Sequence, residues 1–410
     1  MSLEVRPGYK QTEAGVIPED WSPYTIGDLM DFEGGSQPDK SVFRPSWKPG
    51  YIRLIQIRDY KTDKYETYIP LSLARRFCNE SDIMIGRYGP PIFQILRGIV
   101  GAYNVALIKV KPCTGINNSY AYYFLKQEKL FAFIEKLSQR SSGQTGVDLK
   151  ELRQYPLPLP SIDEQKAIAE ALSDTDSLIE SLEHLLAKKR NLKQGTMQEL
   201  LTGKKRLPEF SGKWDLARLD ELGAWKGGMT PSMQNVSYWQ GGTMPWISSG
   251  DVKAARLTAT SFSVTGYAIK QGATTLIPAN SIVVVARSGI LRKYLPVAMN
   301  MLPMAINQDI KALVPNSRID ANYLLHALIG HGDEILARCM KLGTTVESIE
   351  FPWMKAFTIP LPPIPEQSAI SAVLSDMDSE IADLEAQLTK IRALKQGMMH
   401  KLLTGEIRLL

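Results

Sequence analysis

The sequence predicts an α+β chain built twice over. Two globular blocks are each followed by a long helix, and the two helices are expected to pair as an antiparallel coiled coil, giving an internal pseudo-twofold repeat. Three observations carry this expectation. A segment recurs at an offset of 202 residues. Both copies hold apolar residues seven apart, as a coiled-coil seam requires. The stretches preceding them carry short β-rich runs broken by Gly, Pro and Asn. A chain of 410 residues also exceeds the roughly 250 to 300 residues that one core organises.

The first block, residues 1–157, has strand-like runs at 51–57, 82–85 and 105–110, and the second, residues 208–359, has one at 281–286. They share a sparse skeleton: Trp21 with Trp214, Leu29 with Leu222, Gly34-Gly35 with Gly227-Gly228, Asp59 with Asp251, Arg87-Tyr88-Gly89 with Arg287-Ser288-Gly289, and Gly143 with Gly343. Elsewhere the two have diverged almost completely.

The helical regions, 158–207 and 360–410, have not. Without a gap, about 25 of 43 positions are identical between 165–207 and 367–409. In the second copy Ile370, Met377, Leu384, Ile391 and Met398 form one heptad series, and Leu374, Ile381, Leu388, Lys395 and Leu402 form its companion. The first copy keeps the companion series as Leu172, Ile179, Leu186, Lys193 and Leu200, but its other series, Ile168, Thr175, Leu182, Lys189 and Thr196, is half polar. Ser161 to Glu164 reads as a capping box with Ser161 accepting from the Glu164 amide, and Pro365 suits a first turn. Gly203 and Gly405 follow the last leucines, where a left-handed cap is expected. Conserved helices beside divergent blocks imply one shared task for the helices and separate tasks for the blocks.

Composition narrows the function. The net charge of +5 is concentrated in the blocks: residues 1–160 hold 21 Lys/Arg against 17 Asp/Glu and residues 208–362 hold 14 against 11, whereas the helical regions are neutral or acidic. A polyanionic partner suits the blocks. Cys78, Cys113 and Cys339 lie too far apart for a disulfide framework or a C-x-x-C site, which fits a reducing cytoplasm. There is no apolar run of membrane-spanning length, so no membrane association is expected.

Catalytic motifs are missing. The Pro-Pro pairs at Pro90-Pro91 and Pro362-Pro363 lack the polar and aromatic neighbours of an amino-methyltransferase motif, and Thr202-Gly203-Lys204-Lys205 is not a phosphate loop. Glu164-Gln165-Lys166 faintly resembles a nuclease signature, but its copy Glu366-Gln367-Ser368 loses the lysine, leaving Glu164 as a helix-cap residue. The four histidines, His184, His326, His331 and His400, have no metal-ligand spacing. No catalytic residue, metal or cofactor is expected.

Pro362-Pro363-Ile364-Pro365-Glu366-Gln367, Leu394-Lys395-Gln396-Gly397 and Leu402-Leu403-Thr404-Gly405, with their first-copy partners, resemble the specificity subunit of type I restriction-modification systems, as does the opening Gly15-Val16-Ile17-Pro18. The resemblance spans essentially the whole chain. It implies two target-recognition domains held apart by the helices, sequence-specific binding of a bipartite double-stranded DNA site, and partner modification (methyltransferase) and restriction (ATP-dependent translocase/nuclease) subunits that supply the chemistry. The alternative is a protein-interaction scaffold whose coiled coil spaces two binding domains.

For a DNA reader, residue types suited to base edges or phosphates lie near the shared landmarks. In the first block these are Gly34, Gly35, Ser36, Gln37, Arg53, Gln56, Arg58, Arg87 and Tyr88. In the second they are Gly227, Gly228, Thr230, Ser248, Ser249, Arg287, Ser288, Asn307, Gln308 and Asp309. The two Gly-Gly pairs are candidates for loops that offer backbone amides to phosphate.

Overall fold

A computed structural model describes residues 6–138, 146–341 and 345–409; Gly143 and Gly343 lie outside the described residues. The chain divides into two compact units. One joins the residues up to Leu182 with those from Gln387 onward, and the other is Glu183–Ala386. Each unit therefore takes one block together with half of each long helix, instead of following the four segments read from the sequence. The reason is that the ends of the helices are built into the block cores.

In the first unit an antiparallel sheet has the spatial order Met30–Gly34, Leu107–Pro112, Ile83–Gly86, Gln94–Leu96. A mixed sheet has the order Tyr68–Pro70, Tyr51–Ile55, Gly101–Tyr103, Phe77–Cys78, in which Ala102 and Tyr103 pair in parallel with Leu54 and Ile55. The second unit repeats both. Gly223–Gly227, Ile310–Pro315, Ile282–Val285 and Val297–Asn300 lie in the order of the first sheet, with Arg256–Leu257 added at the edge. Phe262–Val264, Met244–Ile247, Met304–Ile306 and Thr275–Ile277 repeat the second, including its parallel pair, Trp246 and Ile247 beside Ala305 and Ile306. Central strands such as Ile282–Val285 are buried throughout, as the continuous β-branched run requires when both faces are covered. All four strand-like runs of the sequence are strands, with ends that differ by no more than two residues.

The long helices span Ile162–Leu201 and Ile364–Leu403, 40 residues each. Ser161 Oγ accepts from the Glu164 amide at 3.3 Å. Gly203 and Gly405 take φ of 69° and 72°, the left-handed caps the sequence expects, and Lys205 and Ile407 return hydrogen bonds to Glu199 and Lys401. Packing is antiparallel. In the first unit Asp176 meets Lys395 while Ile168 and Leu172 share a core with Leu402 and Leu403. In the second, Arg190 meets Glu385, Lys193 meets Asp378, and Leu200 shares a core with Ile370 and Leu374. Leu172, Leu186, Leu200, Leu374, Leu388 and Leu402 are buried, and Ile179 and Ile381 are half-buried. The seam lysines Lys193 and Lys395 sit inside the seam because an aspartate on the other helix accepts each of them.

The same clasp locks each helix start. Glu164, its side chain 2% exposed, accepts the Trp21 indole N–H at 3.0 Å and two hydrogen bonds from Arg408. Glu366, 1% exposed, accepts the Trp214 indole N–H at 2.9 Å and two from Arg206. Gln165 and Gln367 extend it, accepting from the amides of Asn117 and Asp320 and donating to the carbonyls of Pro160 and Pro362. A buried carboxylate is tolerated because both of its oxygens accept hydrogen bonds and an arginine supplies the counter-charge.

Candidate nucleic-acid interface

Three strand ends of the first block meet at the turn 103–107. Gly35 and Ser36, leaving the strand Met30–Gly34, donate their amides to the carbonyls of Leu107 and Tyr103; Asn104 donates to Ile55; Arg87 donates to Ala106. The turn is held by the Asn104 side-chain oxygen, which accepts from the Ala106 amide, and by the Leu107 amide, which donates to the Asn104 carbonyl. The second block repeats the hub. Gly228 and Met229 donate to Ile310 and Ile306, Asn307 donates to Ile247, Ala286 donates to Asp309, and the Asn307 side chain accepts from Asp309. Most of the candidate residues of each block thus follow strand ends gathered at one place, which the chain order alone does not show.

The hub corrects part of the sequence reading. A Cβ on Gly35 would lie 2.0 Å from the Asn104 carbonyl oxygen, and one on Gly228 2.0 Å from that of Asn307. The glycine pairs recur because the backbone passes this close. Their inner amides serve carbonyls of the chain, so they are not open anion loops. Asn307 is 5% exposed and builds the turn, so it does not present its amide to a base.

Arg53 is likewise committed: its guanidinium contacts Asp63 at 2.9 Å and Glu66 at 2.8 Å. Burial opposes its charge, but those carboxylates hold it protonated above the usual arginine range. Gln56 donates to the Thr67 hydroxyl at 3.0 Å, and its amide is capped by Asp59, whose carboxyl burial pushes up. Ser248 plays the Gln56 role in the second block, donating amide and hydroxyl to Asp251. Burial also acts against the Asp251 charge, but hydrogen bonds from Ser248 and Ser261 hold its carboxyl below the usual range. The sequence pair Asp59 and Asp251 is therefore a shared cap.

The other candidates face outward. Gly34 and Gly227 end their strands at exposed positions, and Gln37 is half-buried in a cleft with Ser36. Arg58 is exposed, with contacts of 3.4 Å to the Tyr65 carbonyl and the Thr67 hydroxyl and its guanidinium 5.8 Å from the Tyr65 ring centroid. Arg87 and Tyr88 are exposed side by side, the guanidinium 5.3 Å from the ring centroid. Arg287 is exposed, and among the described residues neither Arg87 nor Arg287 has a carboxylate partner. Thr230 donates to Gln308 on the surface, and Ser288 caps the turn Gly289–Arg292. Ser249 is half-buried, as is Asp309, whose carboxylate accepts from Gln308.

Two copies of one fold, each with its own outward set of side chains, are matched in sequence as well. Over residues 18–189 and again over 211–393 the chain matches the type I restriction modification DNA specificity domain. It belongs to that family. The EcoR124I/EcoR124II type I restriction enzyme specificity subunit of Escherichia coli is 32% identical over 265 residues, 63% of this chain and 63% of that protein, so the match spans less than two thirds of that relative. The MjaVIII specificity subunit of Methanocaldococcus jannaschii is 23% identical over 435 residues, covering this whole chain and 98% of that protein. The solved S subunit of a type I restriction-modification system from M. genitalium superposes with a TM-score of 0.59 over 98% of both chains at 15% identity, a likeness of fold. The family's repeat coincides with the repeated clasp and the repeated hub. Among the described residues no helix is long and apolar enough to cross a membrane.

Proposed function

We propose that this member of the specificity family is the DNA-reading subunit of a type I restriction-modification complex. Each unit binds one half of a bipartite duplex site, and the paired helices fix the unread gap between the halves. The chain itself is non-catalytic: methylation and ATP-driven cleavage come from modification and restriction subunits, in a cytoplasmic complex. The observation that carries this reading is the combination of a nearly invariant frame with variable outward side chains. Glu164 and Glu366 are clasped in the same way and Asn104 and Asn307 turn in the same way, while the first block has Gln37, Arg87 and Tyr88 where the second has Thr230, Arg287 and Ser288. Phosphate contacts from the arginines supply affinity, and differing polar groups supply two different specificities.

Assembly is supported by the first long helix. Within the second unit Leu185 and Leu192 lie seven residues apart and are 40% and 55% exposed, although the helix already buries another face. An exposed pair of leucines at heptad spacing suits a helix of a modification subunit.

Exchanging residues 20–157 for the matching block of a relative tests the proposal. Methylome sequencing of a host carrying the complete system should show one half of the methylated sequence changed and the other half and the gap retained. A change in both halves would overturn the modular reading, and a lack of salt-dependent duplex binding would favour the protein-interaction scaffold instead.

A further inference from the structure

Within the first unit, unengaged polar side chains converge on one cleft. Ser36, Gln37 and Pro38 line it together with Ser72, Leu73 and Arg75, enclosing about 240 Å³. Among the described residues the side chains of Ser36, Gln37, Ser72 and Arg75 make no hydrogen bond or ion pair. The arginines around them are occupied. Arg76 pairs with Glu33, Arg53 with Asp63 and Glu66, and Arg44 donates to the carbonyls of Ser41 and Phe43. The cleft therefore keeps one guanidinium, one carboxamide and two hydroxyls with full hydrogen-bonding capacity. Leu71, Leu73 and Phe77 stand exposed beside them, an apolar rim of the kind that contacts a thymine methyl.

The second unit serves as an internal control. Ala102 pairs with Phe77 as Ala305 pairs with Leu276, which places Thr274 where the first unit has Arg75. The matched close approaches of Gly35 and Gly228 place Met229 and Thr230 where it has Ser36 and Gln37. There the groups are used internally: Thr274 is buried and donates to the carbonyls of Met229 and Ile306, and Thr230 donates to Gln308. The same frame is open and polar in one unit and self-satisfied in the other.

We propose that Arg75 and Gln37 are base-reading residues of the first unit, Arg75 taking guanine O6 and N7 in the major groove and Gln37 the adjacent base. This rests on the duplex-reading function proposed above. A planar guanidinium offers two parallel N–H groups at the spacing of guanine O6 and N7, and a carboxamide matches adenine N6 and N7.

The test is the methylation pattern of a host carrying the complete system with Arg75→Ala, Arg75→Lys or Gln37→Ala. Both Arg75 variants should relax discrimination by roughly tenfold to a hundredfold at one G·C pair in one half of the site. Gln37→Ala should do so at the neighbouring pair, and the other half and the gap should stay unchanged. Lysine keeps the charge but not the fork, so a loss common to both Arg75 variants marks base reading. A sequence-independent loss that lysine restores would make Arg75 a phosphate contact and overturn the assignment. A wild-type system that methylates no bipartite sequence defeats the functional reading itself; a bipartite wild-type pattern unmoved by all three variants defeats the cleft assignment alone.

Discussion

Arg408 meets Glu164 through two parallel hydrogen bonds, Nε to Oε1 at 2.6 Å and Nη2 to Oε2 at 2.8 Å, across 244 residues of chain. Removing the arginine would leave the carboxylate buried with only the Trp21 indole N–H and no counter-charge. Arg408→Ala should therefore cost about 3–5 kcal/mol, the usual consequence of stripping one partner from a buried pair. Arg206→Ala should do the same through Glu366. Urea unfolding read by hydrogen exchange in each unit checks this: Arg408→Ala should weaken the first unit and Arg206→Ala the second. A loss below about 1 kcal/mol would show that water replaces the arginine.

The clasp also marks where sequence reading stops. The helices, the seam, the glycine caps and the repeat follow from period and local chemistry and are present as expected; of the expected capping box only the Ser161 half forms, because Trp21 and Arg408 take the Glu164 carboxylate. Glu164 was legible only as a cap residue, because Trp21 and Arg408 reach it from opposite ends of the chain. A signal existed, since Arg206 and Arg408 recur at the same offset as Glu164 and Glu366. Arg53 and Asn307 show the limit at the interface. Their types suit base reading, but Asp63 and Glu66 capture the one and a tight turn buries the other. Residue type states what a group is able to bind, and only the fold states whether it is already bound.

Arg87 and Arg287, exposed at equivalent places beside Gly89 and Gly289, are expected to face DNA. If they contact phosphate, Arg→Ala at either should weaken binding across sequences and flatten the dependence of log affinity on log salt by about one unit. If they read a base, the cost should be about 1 to 3 kcal/mol at one position of the site. Titration of duplexes at several salt concentrations separates the two. Unchanged binding and slope in both variants would assign these arginines to structure.

His326 should make the second unit acid-sensitive. It is buried with Nδ1 4.0 Å from Asp378, and Lys193, Arg256 and Asp320 also act on it. Burial pushes its pKa down from 6.5 to about 4, which Asp378 only partly opposes. The unfolded chain takes up a proton near pH 6.5 while the folded chain refuses it until about pH 4. Stability is therefore intact above pH 6.5 and declines as pH falls toward 4, by about 3 kcal/mol at most. His326→Gln should flatten this part of the pH profile in denaturant unfolding of the second unit. The first unit should lack it, since Tyr123, which donates to Asp176, stands in the equivalent place.

Helix length should set the gap between half-sites. Four residues inserted after Leu186 and four after Leu388 lengthen both helices by roughly 6 Å, close to two base-pair steps of about 3.4 Å. The residual rotation of about 40° is smaller than the roughly 70° of two base pairs, so affinity should fall somewhat. The methylated sequence of the variant should keep both halves and gain a longer unread gap. An active variant retaining the original gap would show that the helices are not the ruler.

The second unit is one uninterrupted stretch, whereas the first is completed by the end of the second long helix and the residues after it, from Gln387 onward. A ribosome therefore delivers every residue of the second unit before it delivers Arg408, Leu402 or Leu403 to the first. The block made first has to wait for a residue 244 positions beyond Glu164, which has no counter-charge until Arg408 emerges. A frameshift or stop between Leu403 and Arg408 would thus injure the first block rather than the second, so on the proposed reading the first block's half-site is the one lost.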